Sequence, residues 1–180
     1  MPLHCWCYLL GLILLALGVS AAAAPAAMSR IFTALPRHAV AGYVLSTVAW
    51  IWAAYALWHM GLDILEPYKK FIPFLTVAFI PLSWFWLDNL LPSRALGGIL
   101  CLYPYELLHV ARVHPSPWRL VLVSFAYLCI VKGMILLLYP WKLRQAAVWF
   151  SQRPALFRLA GAINALLGIL FIGLGASVLR

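Results

Sequence analysis

Lys132, Asn164 and Glu106 are polar residues that lie inside long apolar runs, where a charge or an amide needs a partner. Lys132 is eight residues before Pro140, which is about 12 Å along a helix at 1.5 Å per residue. Asn164 is six residues after Arg158, about 9 Å by the same rise. Because the two runs are consecutive, we expect antiparallel neighbours and predict that the Asn164 carbonyl accepts a hydrogen bond from Lys132.

Two other arrangements of Lys132 stay open. Glu106 has the matching charge, but it lies near the far end of its own run. Alternatively, the ammonium reaches the nearest lipid headgroups while its stem stays among apolar groups. Ionisable groups inside a membrane often line ion paths, so Lys132, Asn164 and Glu106 could instead form the polar path of a transporter or channel.

A second group of residues with metal-binding chemistry comprises His59, Asp63, Glu106 and His109. His59 and Asp63 are four residues apart, so they would share one face of a helix. Glu106 and His109 form Glu-x-x-His, the spacing of carboxylate metal sites in helical bundles, and this donor set suits Zn, Fe or Mn. The competing interpretations are solvated or ion-paired side chains and a haem or pigment ligand at His59 or His109. No cofactor is predicted firmly.

We predict no catalytic residues, because the sequence has no G-x-S-x-G, no H-E-x-x-H and no phosphate-binding glycine loop. The four cysteines form neither a zinc pattern nor a disulfide framework. Cys5 and Cys7 are too close for an ordinary bridge. Cys101 and Cys129 lie within apolar runs, where cysteine acts as a small packing residue.

The composition predicts an all-α integral membrane protein, a single membrane domain over residues 1–180. Hydrophobic residues make up 66% of the chain and charged residues 9%, against roughly 45–50% and about 25% in soluble domains. A helix needs about 20 apolar residues to cross a bilayer. Six runs approach that length and predict a bundle of about six transmembrane helices with short loops: 6–24, 39–58, 71–87, 95–111, 120–139 and 155–179.

The fourth run is the weakest, because it contains Pro104, Glu106 and His109 and could be re-entrant. With six crossings the two sides hold seven and five basic residues, and without the fourth they hold six and six. The positive-inside rule therefore favours six crossings with both termini outside, in a bacterial inner membrane. Cleavage of residues 1–24 as a signal peptide is disfavoured, because MPLH has no Lys or Arg.

The net charge of +9 predicts the lipid bilayer, and not nucleic acid, as the partner of the basic residues, because they lie between apolar runs. Residues 141–150, WKLRQAAVWF, combine aromatic and basic side chains and predict a short helix in the inner interface. Residues 26–32, AAMSRIF, show the same character more weakly.

Glycines mark helix faces that other backbones can approach. Gly161, Gly168 and Gly175 recur at seven-residue intervals and predict a packing face, whose partner would be the fifth run or another chain. A related pattern places a proline seven residues after a glycine, at 18/25, 97/104 and 133/140. It indicates either an internal duplication or, as we favour, prolines that end helices at the interface.

Three classes of function remain. We favour a non-catalytic structural or accessory subunit of a larger membrane protein complex, with an energy-converting complex as one option. This interpretation rests on the short loops, the glycine face and the aromatic content of 14%. The alternatives are a small transporter or channel using Lys132, Asn164 and Glu106, and a cofactor- or metal-binding membrane enzyme using the His59 and His109 cluster.

Overall fold

A computed structural model describes residues 3–61, 63–86, 90–113 and 116–177, without the side chains of residues 37 and 63–65. These residues form eight α-helices and two 3₁₀ segments, and no strand occurs among them. The all-α class predicted from the composition is therefore confirmed.

Six long helices follow the six apolar runs, and two short helices lie between them. The long helices are α1 (Leu3–Ala23), α3 (Ala39–His59), α4 (Ile72–Trp86), α5 (Leu91–Ala111), α6 (Arg119–Leu138) and α8 (Pro154–Ser177). The short helices are α2 (Pro25–Ala34) and α7 (Trp141–Ser151), at the two places where interfacial helices are predicted. The 3₁₀ segments are Leu35–Arg37 and Asp63–Phe71.

Local chemistry sets several helix starts. Pro25 and Pro154 are the first residues of α2 and α8, a position where the missing N–H would have no helical partner. His38 caps α3, because its Nδ1 accepts a hydrogen bond from the Ala41 backbone N–H at 3.2 Å. Leu90 precedes α5 with a φ of 66°, a left-handed conformation that is rare for leucine.

Four of the long helices, α1, α3, α6 and α8, are long and apolar enough to cross a membrane. The described part of α4 has 15 residues. α5 has 21 residues but carries Arg94 and Glu106. The structure is thus that of a helical protein suited to a membrane, with four helices of spanning length and composition.

α1 and α8 run antiparallel and make the most extensive helix contact in the described chain. The glycine contacts along this seam are Gly11 with Gly168, Gly18 with Gly161, and Gly175 with Cys7. A Cβ at Gly168 would lie 2.7 Å from both the Gly11 carbonyl oxygen and the Leu15 backbone nitrogen of α1, so a larger residue has no room there. The partner of the glycine face is therefore α1, and neither the fifth run nor another chain. The reason is that α1 has two glycines at the same seven-residue spacing, whereas α6 has Gly133 alone.

α5 and α6 form a second antiparallel pair, which also packs closely at glycines. A Cβ at Gly97 would lie 2.9 Å from the Gly133 carbonyl oxygen. A Cβ at Gly133 would lie 2.6 Å from the Cys101 Sγ. Each glycine therefore lets the opposite backbone approach closely, which is how helices gain van der Waals contact in lipid.

The repeated glycine–proline pattern combines two different structural roles. Its three glycines, Gly18, Gly97 and Gly133, all lie in helix contacts. Pro25 begins α2 and Pro140 precedes α7, as expected for prolines that end helices. Pro104 does not fit that interpretation, because it is fully buried inside α5 and the helix continues past it. Neighbouring helices often make an internal proline tolerable in a membrane helix.

The hydrophobic core lies at one end of the bundle, where α1, α5, α6 and α8 converge. Its members are Leu3, Cys7, Leu10, Tyr103, Leu107, Ala111, Leu122, Ala126, Cys129, Phe171 and Leu174. The core gathers the starts of α1 and α6 and the ends of α5 and α8. α1 and α6 therefore run in the direction opposite to α5 and α8.

α3 runs parallel to α5 and antiparallel to α4. The contacts that define these directions are Gly42 with Pro92 and Ala49 with Gly98 between α3 and α5, and Ser46 with Trp84 and Trp50 with Phe79 between α3 and α4. The six long helices consequently alternate in direction along the chain. Trp50 stacks on Phe79 at 5.2 Å between ring centroids, so it fills the space between α3 and α4.

We expect Gly168→Ala to lower the free energy of unfolding by about 1–3 kcal/mol, because the added Cβ would lie 2.7 Å from the Gly11 carbonyl oxygen. Gly173→Ala on the same helix is the matched control, since nothing lies within 4 Å of its Cβ position. It should leave stability unchanged or raise it by up to about 1 kcal/mol. Reversible unfolding in detergent micelles measures both, and equal effects would contradict the glycine seam.

Candidate functional site

Lys132 and Asn164 line the same cavity, which has a volume of about 410 Å³. α6 contributes Lys132 and α8 contributes Asn164. Glu106 is not among the described residues that line this cavity. It lies on α5 beside Leu107, a residue of the core at the other end of the bundle. The structure therefore brings together two of the three predicted intramembrane polar residues.

The cavity exists because the α1/α8 and α5/α6 pairs share a core at one end only. Toward the opposite end, the later half of α1, the later half of α6 and the earlier half of α8 border an open space. α2 and α7 contact each other and contribute the remaining walls of that space. The two short helices thus cover the side of the cavity that α1, α6 and α8 leave open.

Apolar side chains form most of the lining. They are Leu17, Ala21, Phe32, Leu143, Ala146, Ala147, Phe150, Phe157 and Ala160, with Gly161 beside them. Phe157 of α8 meets Phe32 of α2 and Phe150 of α7 edge to face, with ring centroids 6.1 and 6.0 Å apart. This aromatic cluster holds the two short helices against α8. Lys132 and Asn164 are the polar side chains among the described lining residues.

The predicted hydrogen bond between Lys132 and Asn164 does not form in the structure. Both side chains are exposed and line the cavity, and neither has a hydrogen bond or ion pair with any residue the structure describes. The prediction assumed that α6 and α8 pack side by side. Their glycines instead pair α6 with α5 and α8 with α1, and the cavity lies between the two pairs.

Among the residues proposed for a metal or haem, His59 ends α3, Asp63 begins the following 3₁₀ segment, and Glu106 and His109 lie near the end of α5. The His59 Nδ1 lies 2.9 Å from the Tyr55 carbonyl oxygen on its own helix. Glu106 is half-buried and His109 is exposed on α5, and the side chain of Asp63 lies outside the described residues. Within the described ranges, no group of three or more His, Cys, Asp and Glu could hold a metal ion. Metal or haem binding at these four positions stays a prediction.

A second cavity, of about 350 Å³, lies between α3, α4 and α5 and was missed by sequence reasoning. Arg94 lines it, and the Arg94 Nε is buried without a hydrogen-bond partner among the described residues. Trp84 Nε1 donates to the Ser46 Oγ at 3.0 Å along the same wall. The sequence placed Arg94 in a loop before residue 95, but α5 begins at Leu91 because Pro92 favours a helix start.

Sequence reasoning also missed the role of Phe32 and Phe150 in lining the cavity of Lys132 and Asn164. The available signal was the combination of aromatic and basic residues in 26–32 and 141–150, which predicts helices with one apolar face. That pattern does not show that the apolar faces meet each other over a cavity.

Comparison with known proteins leaves the function to be inferred from this geometry. No protein-family model, no curated protein and no solved structure matches the chain.

We expect Lys132→Met to raise the free energy of unfolding in neutral detergent, by on the order of 1 kcal/mol. The reason is that an unpaired ammonium in an apolar setting is unfavourable, whereas methionine has a similar length and no charge. Lys142→Met on α7, outside the cavity lining, serves as the control and should have a smaller effect. Thermal unfolding measures the change, and a loss of stability in Lys132→Met would show that the cation holds the fold together.

Proposed function

We propose that the protein is a non-catalytic structural or accessory subunit of a larger membrane protein complex, and that α4 contacts the other subunits. The observation that carries this proposal is the position of α4, which packs chiefly against α3. α5, in comparison, packs against both α3 and α6. α4 is therefore the long helix with the least coverage by its own chain.

The side chains of α4 support a protein partner. Phe74, Val77 and Phe85 are 75%, 71% and 90% exposed, and Ser83 is the one buried residue of the helix. Its 15 described residues span about 22 Å, compared with about 30 Å for the hydrocarbon core. A short apolar helix is accommodated by local thinning of the bilayer or by association with other helices. Apolar helices of partner subunits would cover these aromatic side chains.

The connections between helices also support a role inside the membrane. Ala24 alone separates α1 from α2, residues 139–140 separate α6 from α7, and residues 152–153 separate α7 from α8. Such connections offer little surface to a soluble partner. The surfaces available for binding are consequently the helix faces, which favours membrane proteins as partners.

We propose further that all six long helices cross the membrane, with both termini outside. Their alternating directions support this topology, because each crossing must reverse the previous one. The distribution of basic residues, seven on the inner side and five on the outer, supports the same orientation. α2 and α7 would then lie at the inner interface, as amphipathic helices do.

A small transporter is the second candidate, favoured by the cavity that Lys132 and Asn164 share. A transport path must reach both sides of the membrane. Beyond the cavity, however, the core closes the bundle with fully buried side chains such as Phe171 and Leu122. The described arrangement thus supports binding in the cavity more than passage through it.

The complex is tested by the mass of the particle extracted gently from its native membrane. We expect a mass well above that of the 20.1 kDa chain or its small multiples, with other membrane proteins present. Phe74→Ala with Phe85→Ala should release those proteins, because the two exposed rings belong to the face of α4 that we propose the partners cover.

Leu138→Ala with Leu166→Ala is the matched control for that experiment. These leucines are 70% and 66% exposed on α6 and α8, away from α4, so the complex should persist. A homo-oligomer without other proteins, or equal release by both double variants, would contradict the proposed role of α4.

A further inference from the structure

We propose that the cavity between α1, α6 and α8 binds a membrane amphiphile whose head has a net negative charge, on a phosphate or a carboxylate. Lys132 supplies the counter-charge and Asn164 a second hydrogen-bond donor. This site is separate from the α4 surface, and its occupant is a lipid-like molecule that belongs to the membrane itself.

The dimensions and lining of the cavity are those of a ligand site. Its volume of about 410 Å³ falls in the range of roughly 300–1,000 Å³ that is usual for small-molecule pockets. Such pockets are mostly apolar, with a few polar groups that orient the ligand. Here leucine, alanine and phenylalanine side chains suit an acyl or isoprenyl chain, while Lys132 and Asn164 are the orienting groups.

The charge distribution of the chain leaves Lys132 without a carboxylate partner among the described residues. The chain has four acidic residues in total. Glu66 pairs with Lys69 at 2.6 Å, and Glu106 lies at the opposite end of the bundle beside the core. Asp63 is in the segment that follows α3, with Glu66, and Asp88 lies outside the described residues. An anion that enters the cavity would provide the missing counter-charge.

The donor set selects the head group. A lysine ammonium has three hydrogen-bond donors and no acceptor, and the asparagine carboxamide adds two more donors. Hydrogen bonds between an ammonium and an anionic oxygen are shorter and stronger than those between neutral groups. A head without net negative charge, such as zwitterionic phosphocholine, would gain much less because it cannot neutralise the Lys132 ammonium.

The depth of the cavity suits an amphiphile that enters from the membrane. Lys132 is six residues before the end of α6 at Leu138, about 9 Å along the helix. α2 and α7 lie at that end. α7 carries Lys142 and Arg144, and anionic headgroups would gather around these two cations. An anionic head can pass from this basic border to Lys132 while its chain stays among the apolar walls.

The experiment is native mass spectrometry of the isolated chain in neutral detergent. The protein is incubated with equal amounts of phosphatidylglycerol and phosphatidylcholine that have identical acyl chains. We expect one phosphatidylglycerol to be retained about tenfold more strongly, which corresponds to about 1.4 kcal/mol. Lys132→Met should abolish this preference, and Lys132→Arg should keep it. Lys142→Met, which removes the neighbouring charge outside the cavity lining, should also keep it.

Two further measurements distinguish binding of a lipid inside the cavity from binding of a free anion to Lys132. Ala160→Phe fills the cavity without changing any charge, so it should also release the lipid, and it replaces Lys132→Met if that variant does not fold. Inorganic phosphate at millimolar concentration should not displace the lipid. Displacement by phosphate alone would mean a site for free anions, and it would overturn the amphiphile proposal.

Equal retention of the two lipids by the native sequence would also overturn the proposal. So would an unchanged preference in Lys132→Met, because the ammonium would then only reach the headgroups outside the cavity. These readouts use the isolated chain. They are therefore independent of whether α4 binds partner subunits.

Discussion

Close backbone contact between helices is the constraint on which this structure depends. Within a bilayer, apolar side chains gain nothing by leaving lipid for a protein interior that is equally apolar, so association relies on van der Waals contact at small residues. Gly11 and Gly18 of α1 meet Gly168 and Gly161 of α8 in this way. The first and last helices are thereby joined, and the rest of the chain must pack beside that pair.

The cavity lined by Lys132 and Asn164 follows from having two such pairs. Each pair is tightly packed along its own seam, and among the described residues the two pairs share a core around Leu107, Leu122 and Phe171. At the other end, Lys132 and Asn164 line the cavity without a hydrogen bond between them, because α6 and α8 are not packed side by side. The Lys132 ammonium therefore lies in an apolar setting without a hydrogen bond or ion pair to any described residue. This arrangement is typical of a functional group in a membrane protein.

The two proposals assign different surfaces to different tasks. The outward face of α4 has exposed aromatic side chains, which partner helices would cover under the first proposal. The cavity faces inward beneath α2 and α7 and offers a cation to an anionic head. A subunit that binds a lipid firmly can use that lipid to stabilise its own helix pairs or its contact with neighbours. Both roles are compatible with one small protein whose helices are joined by very short connections.

The sequence by itself determined the features that depend on local composition. Apolar length predicted the all-helical class, aromatic and basic residues predicted α2 and α7, and the seven-residue spacing of Gly161, Gly168 and Gly175 marked a face for close packing. Only the tertiary structure decided that this face meets α1, that Pro104 is internal to α5, and that Lys132 and Asn164 share a cavity without a bond between them. The physical reason is that lipid and protein interior are equally apolar. The hydrophobic pattern of a membrane helix therefore shows that it is buried, but it does not show which neighbour covers which face.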